Sequence, residues 1–175
     1  MIVAYQGVPG AFSHEASLYA LPDHEPQPYP TFALVAEAVR DGLVDAGVIP
    51  MRNSSAGEVP GSRDLVARTG VRIEREVDRP IRMHLLALPG TRLEDVTKVM
   101  SHPVALLQCK DRLAELGIEQ VEALNTAVAA QGLKDHQTAA LASLVAAELY
   151  GLEALLMDVQ DDRDNCTTFA VLRRD

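Results

Sequence analysis

The stretch Asp164-Asn165-Cys166-Thr167-Thr168-Phe169, followed by the apolar run Ala170-Val171-Leu172, decides how the rest of the chain is interpreted. Asp and Asn favour turns, whereas Thr, Phe and Val favour strands, so the pattern predicts a loop that enters a buried strand. Strand alternation places Asn165, Thr167 and Phe169 on one face and the intervening residues on the other. An amide, a hydroxyl and an aromatic ring on one face could together bind a small polar ligand. The alternative interpretation is a structural one, in which a polar turn caps a core strand.

The composition is that of a globular chain with an acidic surface. Of its 175 residues, 47% are hydrophobic and 23% charged, and the formal net charge is −9. This charge argues against nucleic acid or an anionic membrane as partner, and an anionic ligand would need a local cation. Two cysteines make neither a disulfide framework nor a zinc set, so we expect a cytoplasmic protein without metal. Neither a signal peptide nor a membrane-spanning run is predicted.

Polar turns follow the two strands predicted in the N-terminal part. Residues 2–5 predict a strand that enters a glycine-rich turn, with Ser13 as the expected helix N-cap. Backbone N–H groups at such a helix start can hold a carboxylate or phosphate. Residues 46–51 predict a second buried strand, which ends in Arg52-Asn53-Ser54-Ser55-Ala56-Gly57. Polar side chains just past a strand's carboxyl end are typical of ligand sites in α/β sheets, and a simple polar turn is the alternative.

The middle of the chain alternates short strands with capped helices. Ser101 precedes a helix predicted over 104–116, with Gln108 about two turns in. Asn125-Thr126 caps a helix predicted over 127–133, and Ser143 opens another.

Two further segments complete the pattern. Residues 22–30, which are rich in proline, predict a loop, and residues 155–160 predict a strand that leads back to the C-terminal stretch. The order of predicted strands and helices along the chain predicts an α/β fold of two lobes with a ligand cleft between them. We expect lobe 1 to comprise residues 1–78 and 160–175, and lobe 2 to comprise residues 79–159.

Five ordered segments resemble the motifs of prephenate dehydratases and together cover nearly the whole chain. They are 7–16 (GVPGAFSHEA), 49–57 (IPMRNSSAG), 101–109 (SHPVALLQC), 125–130 (NTAVAA) and 164–169 (DNCTTF). The resemblance implies a periplasmic-binding-protein-like (type II) fold. It also implies a cofactor-free carbon–oxygen lyase that converts prephenate to phenylpyruvate, CO2 and water in phenylalanine biosynthesis.

The resemblance also implies the residues of the site. The catalytic set falls on four positions: Thr167, Asn53, Ser101 and Gln108. Further substrate contacts are expected from Ser13, Arg52, Ser54, Asn125, Thr126 and Phe169. We expect Thr167 to donate to the leaving hydroxyl, Asn53 and Gln108 to position ring substituents, and Ser101 and Thr126 to hold a carboxylate.

Two positions depart from the family pattern. Arg52 stands where a glutamate is usual, and Thr168 where an arginine is usual. One interpretation is a substituted ion pair that supports the site from the opposite strand face. The other is that Arg52 contacts a substrate carboxylate and alters specificity.

Several interpretations of the function remain open. Arogenate dehydratase, a prephenate decarboxylase that keeps the hydroxyl, and a non-catalytic sensor of small carboxylates are the alternatives. Many family members carry a C-terminal ACT domain that binds phenylalanine; the sequence ends at Asp175, so we expect no feedback inhibition through it. The family also implies a homodimer.

Overall fold

The computed structural model describes residues Met1–Asp175 as an α/β chain of seven α-helices and eleven strands. The strands are β1 (Ile2–Gln6), β2 (Glu25–Tyr29), β3 (Ala46–Asn53), β4 (Gly57–Glu58), β5 (Val71–Pro80), β6 (His84–Ala87), β7 (Lys98–Ser101), β8 (Glu119–Glu122), β9 (Thr138–Ala142), β10 (Glu153–Leu156) and β11 (Cys166–Arg174). The helices are α1 (Phe12–Ala20), α2 (Phe32–Arg40), α3 (Ser62–Thr69), α4 (Pro103–Gln108), α5 (Lys110–Leu116), α6 (Thr126–Gln131) and α7 (Leu144–Tyr150). None of these helices has the length and apolar character required to cross a bilayer.

The chain forms two compact units. The first comprises Met1–Val8, Phe12–Ile81 and Asp164–Asp175, and the second comprises Pro9–Ala11 and Arg82–Arg163. The C-terminal strand therefore belongs to the N-terminal unit, which agrees with the late return predicted from the strand pattern. The short segment Pro9–Ala11 belongs to the second unit although it lies in the first turn of the chain.

The sheet of the first unit is built around β11. Its strand order is β2-β1-β3-β11-β5, with β4 paired to β3, and β11 runs antiparallel to both of its neighbours. Alternation along β11 sends Phe169 and Val171 to the core that contains α1, and Ala170 and Leu172 to the core that contains α2 and α3. Helices thus cover both faces of this sheet, and the apolar run after Thr168 is buried for that reason.

The second unit has a five-stranded sheet in the order β10-β6-β9-β7-β8. Helices α6 and α7 pack their alanine-rich faces on β6 and β9. Two predicted caps are confirmed here: the side chain of Asn125 accepts from Val128 N at 2.8 Å, and that of Ser143 accepts from Ala146 N at 3.2 Å. These caps satisfy N–H groups that the first helical turn leaves without a partner.

Two segments differ from the sequence predictions in their secondary structure. The proline-rich stretch contains β2, which pairs only with β1 and so lies at the sheet edge. A proline is tolerated at such an edge because its missing N–H can face away from the neighbouring strand. The helix predicted over 104–116 is broken into α4 and α5 at Cys109, whose φ of −118° and ψ of 15° depart from helical geometry.

Three helix or strand boundaries also differ from those expected from the sequence. Ser13 lies inside α1, which begins at Phe12, and is not its N-cap. The N-cap of α4 is His102, whose Nδ1 accepts from Val104 N, while Ser101 is the last residue of β7. The strand predicted over 155–160 is instead Glu153–Leu156, because Val159 and the residues beside it form a loop in which Asp158 has a positive φ of 50°.

Candidate functional site

An amide–hydroxyl contact lies at the end of β3, where this strand pairs with the start of β11. Asn53 and Thr167 are directly opposite each other in the strand register. Asn53 Nδ2 donates to Thr167 Oγ1 and to Asn165 Oδ1, each at 2.8 Å, and is 3.2 Å from Cys166 O. Thr167 and Asn165 are buried, with exposed fractions of 7% and 1%. The strand entrance identified from the sequence therefore gathers the predicted polar groups at one point.

The orientation of the Asn53 amide is fixed by the turn that follows β3. Its Oδ1 accepts from Ser55 N at 3.0 Å and from Ala56 N at 2.9 Å. Since two backbone N–H donors require an acceptor there, the NH2 group must face Thr167. The hydroxyl oxygen of Thr167 therefore accepts from Asn53, which leaves the hydroxyl hydrogen of Thr167 available for another acceptor.

Ser54 holds the two strands together just beyond this contact. Its Oγ accepts from Cys166 N at 2.9 Å, and its N–H donates to Cys166 O at 2.8 Å. Burial raises the pKa of the Cys166 thiol, and the nearby Asp78 carboxylate raises it further. A thiol with a raised pKa stays protonated near neutral pH, so Cys166 is poorly suited to act as a thiolate nucleophile.

A second polar row lies on the opposite face of the same strands. Arg52, Thr168 and Asp78 occupy facing positions on β3, β11 and β5. Arg52 Nε donates to Thr168 Oγ1 at 3.1 Å, and Thr168 Oγ1 donates to Asp78 Oδ1 at 2.5 Å. A pocket of about 390 Å³ adjoins this row. Arg52 and Thr168 are therefore in contact, and the acidic partner in the row is Asp78, a residue not predicted from the sequence.

The remaining predicted residues of the first unit lie elsewhere in it. Phe169 was expected to contact the substrate. Its side chain is 2% exposed and packs in the core with α1, so it is buried rather than open to a ligand. Ser13 is buried in the first turn of α1. Its neighbour His14 stacks on Tyr5 with 4.9 Å between ring centroids, and burial lowers the pKa of the His14 imidazole.

Four predicted residues belong to the second unit. Ser101 is buried and its Oγ donates to Leu141 O at 2.8 Å, while its carbonyl accepts from Ala123 N at 2.8 Å. This backbone bond places the end of β7 beside the segment that leads to the Asn125 cap. Thr126 follows as the first residue of α6, and Gln108, partly buried, ends α4.

The comparisons with known proteins agree on one family. The model of the family described as prephenate dehydratase matches residues 3–175. Arogenate dehydratase/prephenate dehydratase 1, chloroplastic, of Arabidopsis thaliana is 40% identical over 99% of this chain and 45% of that protein. The chain thus spans about half the length of this plant relative. The bifunctional N-acyl-homoserine lactone acylase/prephenate dehydratase of Komagataeibacter europaeus is 37% identical over 99% of this chain and 63% of that protein.

Solved structures confirm the predicted fold class. The prephenate dehydratase of Arthrobacter aurescens in complex with L-Phe superposes with a TM-score of 0.89 at 29% identity, over 100% of this chain and 61% of that one. A periplasmic substrate-binding protein of an ABC transporter from Coxiella burnetii gives a TM-score of 0.51 at 17% identity, over 100% of this chain and 85% of that one. The second likeness concerns the fold alone.

Proposed function

Because the chain belongs to the prephenate dehydratase family, we propose that it catalyses the decarboxylating dehydration of prephenate to phenylpyruvate. The observation that carries this proposal is the contact between Asn53 Nδ2 and Thr167 Oγ1. It directs the Thr167 hydroxyl hydrogen away from Asn53, which is the orientation required of a donor to a leaving hydroxyl.

The proposed reaction breaks two bonds of the substrate ring. The bond to the ring carboxylate breaks and releases CO2, and its electron pair moves through the ring as the C–OH bond on the opposite carbon breaks. The departing hydroxide takes up one proton and leaves as water, and the ring becomes aromatic. Thr167 donates a hydrogen bond to the oxygen as negative charge develops on it, and Asn53 keeps the donor in place. Burial of Thr167 favours this bond because water competes weakly there.

The second-unit residues complete the proposal. Gln108 is proposed to position ring substituents, and Thr126 to hold a carboxylate. Ser101, whose buried hydroxyl donates to Leu141 O, is proposed to act by fixing the end of β7. Arogenate is the second candidate substrate, because the Arabidopsis relative carries both dehydratase names. Arogenate bears an amino group where prephenate has a keto group, so the two substrates are to be assayed side by side.

Variants of Thr167 test the role of its hydroxyl. We expect Thr167→Ala to lower kcat by about 10²- to 10⁴-fold, the range for loss of a positioned proton donor, and Thr167→Ser to retain most of it. Thr69→Ala is the matched control, since this threonine also loses a hydroxyl in the first unit but bonds only Leu65 O and Val66 O. Unchanged turnover in Thr167→Ala, with unchanged affinity, would refute the assignment.

A further inference from the structure

Arg79 shares a sheet face with the two residues at the centre of the proposed site. It lies on β5 directly opposite Thr167, which in turn lies opposite Asn53 on β3. Directly opposed residues of neighbouring strands project to the same side of a sheet, and the strands are about 4.8 Å apart. The face that carries the Thr167 hydroxyl therefore also carries a guanidinium group one strand away. The sequence pattern alone does not single out Arg79, because its role depends on the pairing of β5 with β11.

The Arg79 side chain is held in one place without being fully buried. Its Nη2 donates to Glu15 Oε1 at 3.1 Å, and its guanidinium carbon lies 4.1 Å from the ring centroid of Tyr19. The side chains of Arg79 and Glu15 are 24% and 25% exposed. The cation–π contact thus orients the guanidinium, and the side chain is open enough to reach a small molecule.

Two buried donors near Thr167 have no acceptor. They are Arg79 Nε and Asn165 Nδ2. Asn165 lies beside Thr167 because both accept from Asn53 Nδ2. Buried donors are nearly always paired, so these two donors without acceptors indicate that the face is completed by a group rich in acceptor atoms. A carboxylate is such a group.

The charge distribution selects Arg79 over the other candidate cation. The chain carries a net charge of −9, so a dianionic substrate must meet a local positive charge to bind. Arg52, which the sequence suggested for this task, donates to Thr168 on the opposite face. Arg79 is the arginine in the Thr167 row.

We propose that Arg79 binds the carboxylate that the substrate retains in the product. This inference rests on the proposed function. A cation on the departing carboxylate would stabilise the negative charge that has to leave it as CO2, and so would slow the reaction. On the retained carboxylate the same cation contributes to binding equally before and during the reaction, which lowers KM and leaves kcat nearly unchanged.

The test compares Arg79→Gln with Glu15→Gln. Both substitutions remove the ion pair that joins β5 to α1, but only the first removes the cation. For Arg79→Gln we expect KM for prephenate to rise about 10- to 100-fold, the range for losing a hydrogen bond to a charged group, with little change in kcat. Glu15→Gln should leave KM unchanged or lower it, because it frees the guanidinium. Arg79→Lys, which keeps the charge, should recover part of the loss.

The outcomes separate the possible explanations. Equal increases in KM for Arg79→Gln and Glu15→Gln would show a merely structural tether and overturn the proposal, as would an unchanged KM in Arg79→Gln. If the wild-type chain does not turn over prephenate, the proposed reaction fails, and calorimetric titration with phenylpyruvate then decides the role of Arg79. Binding that Arg79→Gln weakens would support carboxylate recognition, and no binding by the wild type would overturn both proposals.

Discussion

The contacts among Arg52, Thr168 and Asp78 predict how stability changes when the two departures from the family pattern are reversed. The changes are Arg52→Glu, Thr168→Arg and their combination, which restores the acidic and basic residues usual in the family. In the structure the Thr168 hydroxyl links the Arg52 guanidinium to the Asp78 carboxylate, at 3.1 Å and 2.5 Å. Each single change therefore disturbs a contact that the other residue shares.

The size of each effect follows from these contacts. Arg52→Glu removes a charged donor to Thr168 and places a carboxylate opposite Glu58 on β4 and in the row of Asp78. A hydrogen bond to a charged group contributes about 1.5–3 kcal/mol, and like charges across strands cost up to about 1 kcal/mol. Because Arg52 and Asp78 are exposed, water replaces part of the lost contact, and we expect a net loss of about 1–2 kcal/mol.

Thr168→Arg alone puts two cations in one row and should be destabilising by about 1 kcal/mol, with the adjoining pocket of about 390 Å³ giving the longer side chain room. In the combined variant the introduced guanidinium on β11 can pair both with the introduced carboxylate on β3 and with Asp78. The double change should therefore be more stable than the sum of the single changes by about 1–2 kcal/mol.

The assay is a double-mutant cycle measured by urea unfolding at pH 7, at low and at high salt. Thr168→Val serves as the control, because it removes the hydroxyl without adding a charge. High salt should reduce the coupling in the charged cycle. A coupling energy within about 0.5 kcal/mol of zero would refute the reasoning, because that is the range for independent sites.

The remaining predictions concern the second unit. Burial lowers the pKa of His84, whose Nδ1 accepts from Asp158 N at 3.2 Å, so unfolding takes up a proton once the pH falls below the ordinary value of 6.5. The free energy of unfolding should therefore fall on acidification from about pH 6.5, by at most about 1.4 kcal/mol per pH unit for this residue. The fall should be shallower in His84→Gln, and equal slopes in the two proteins would contradict this prediction. Gly10 has a φ of +90° and a Cβ there would lie 2.9 Å from Ala146 Cβ, so Gly10→Ala should be destabilising by about 2–4 kcal/mol. Gly117→Ala, at a φ of +65° with open space around it, should cost only about 1 kcal/mol in the same denaturant measurement, and equal losses would show that the close contact is irrelevant.

The parts of the fold that could be predicted are those that local sequence controls. The alternation around Thr167 and Thr168 correctly separated two faces of β11, because side-chain direction in a strand depends only on position. The caps at Asn125 and Ser143 were predicted for a similar reason, since the capping side chain bonds N–H groups two or three residues away.

What was missed depends on contacts between distant segments. The proline-rich strand β2 is stabilised by its pairing with β1, and its own sequence has no periodicity that would predict a strand. Asp78 and Arg79 lie near the end of β5, but their importance depends on their register with Thr168 and Thr167. A single sequence does not specify which strands are neighbours, so residues that act across strands were not selected.

The product ratio of the purified chain tests the central claim most directly. Prephenate is supplied, and phenylpyruvate and CO2 are measured in the same reaction, with Thr167→Ala in parallel. Equal amounts of the two products are expected from the wild type, with a strong loss of both in the variant. Release of CO2 without an aromatic product, or saturable binding of prephenate without turnover, would contradict it.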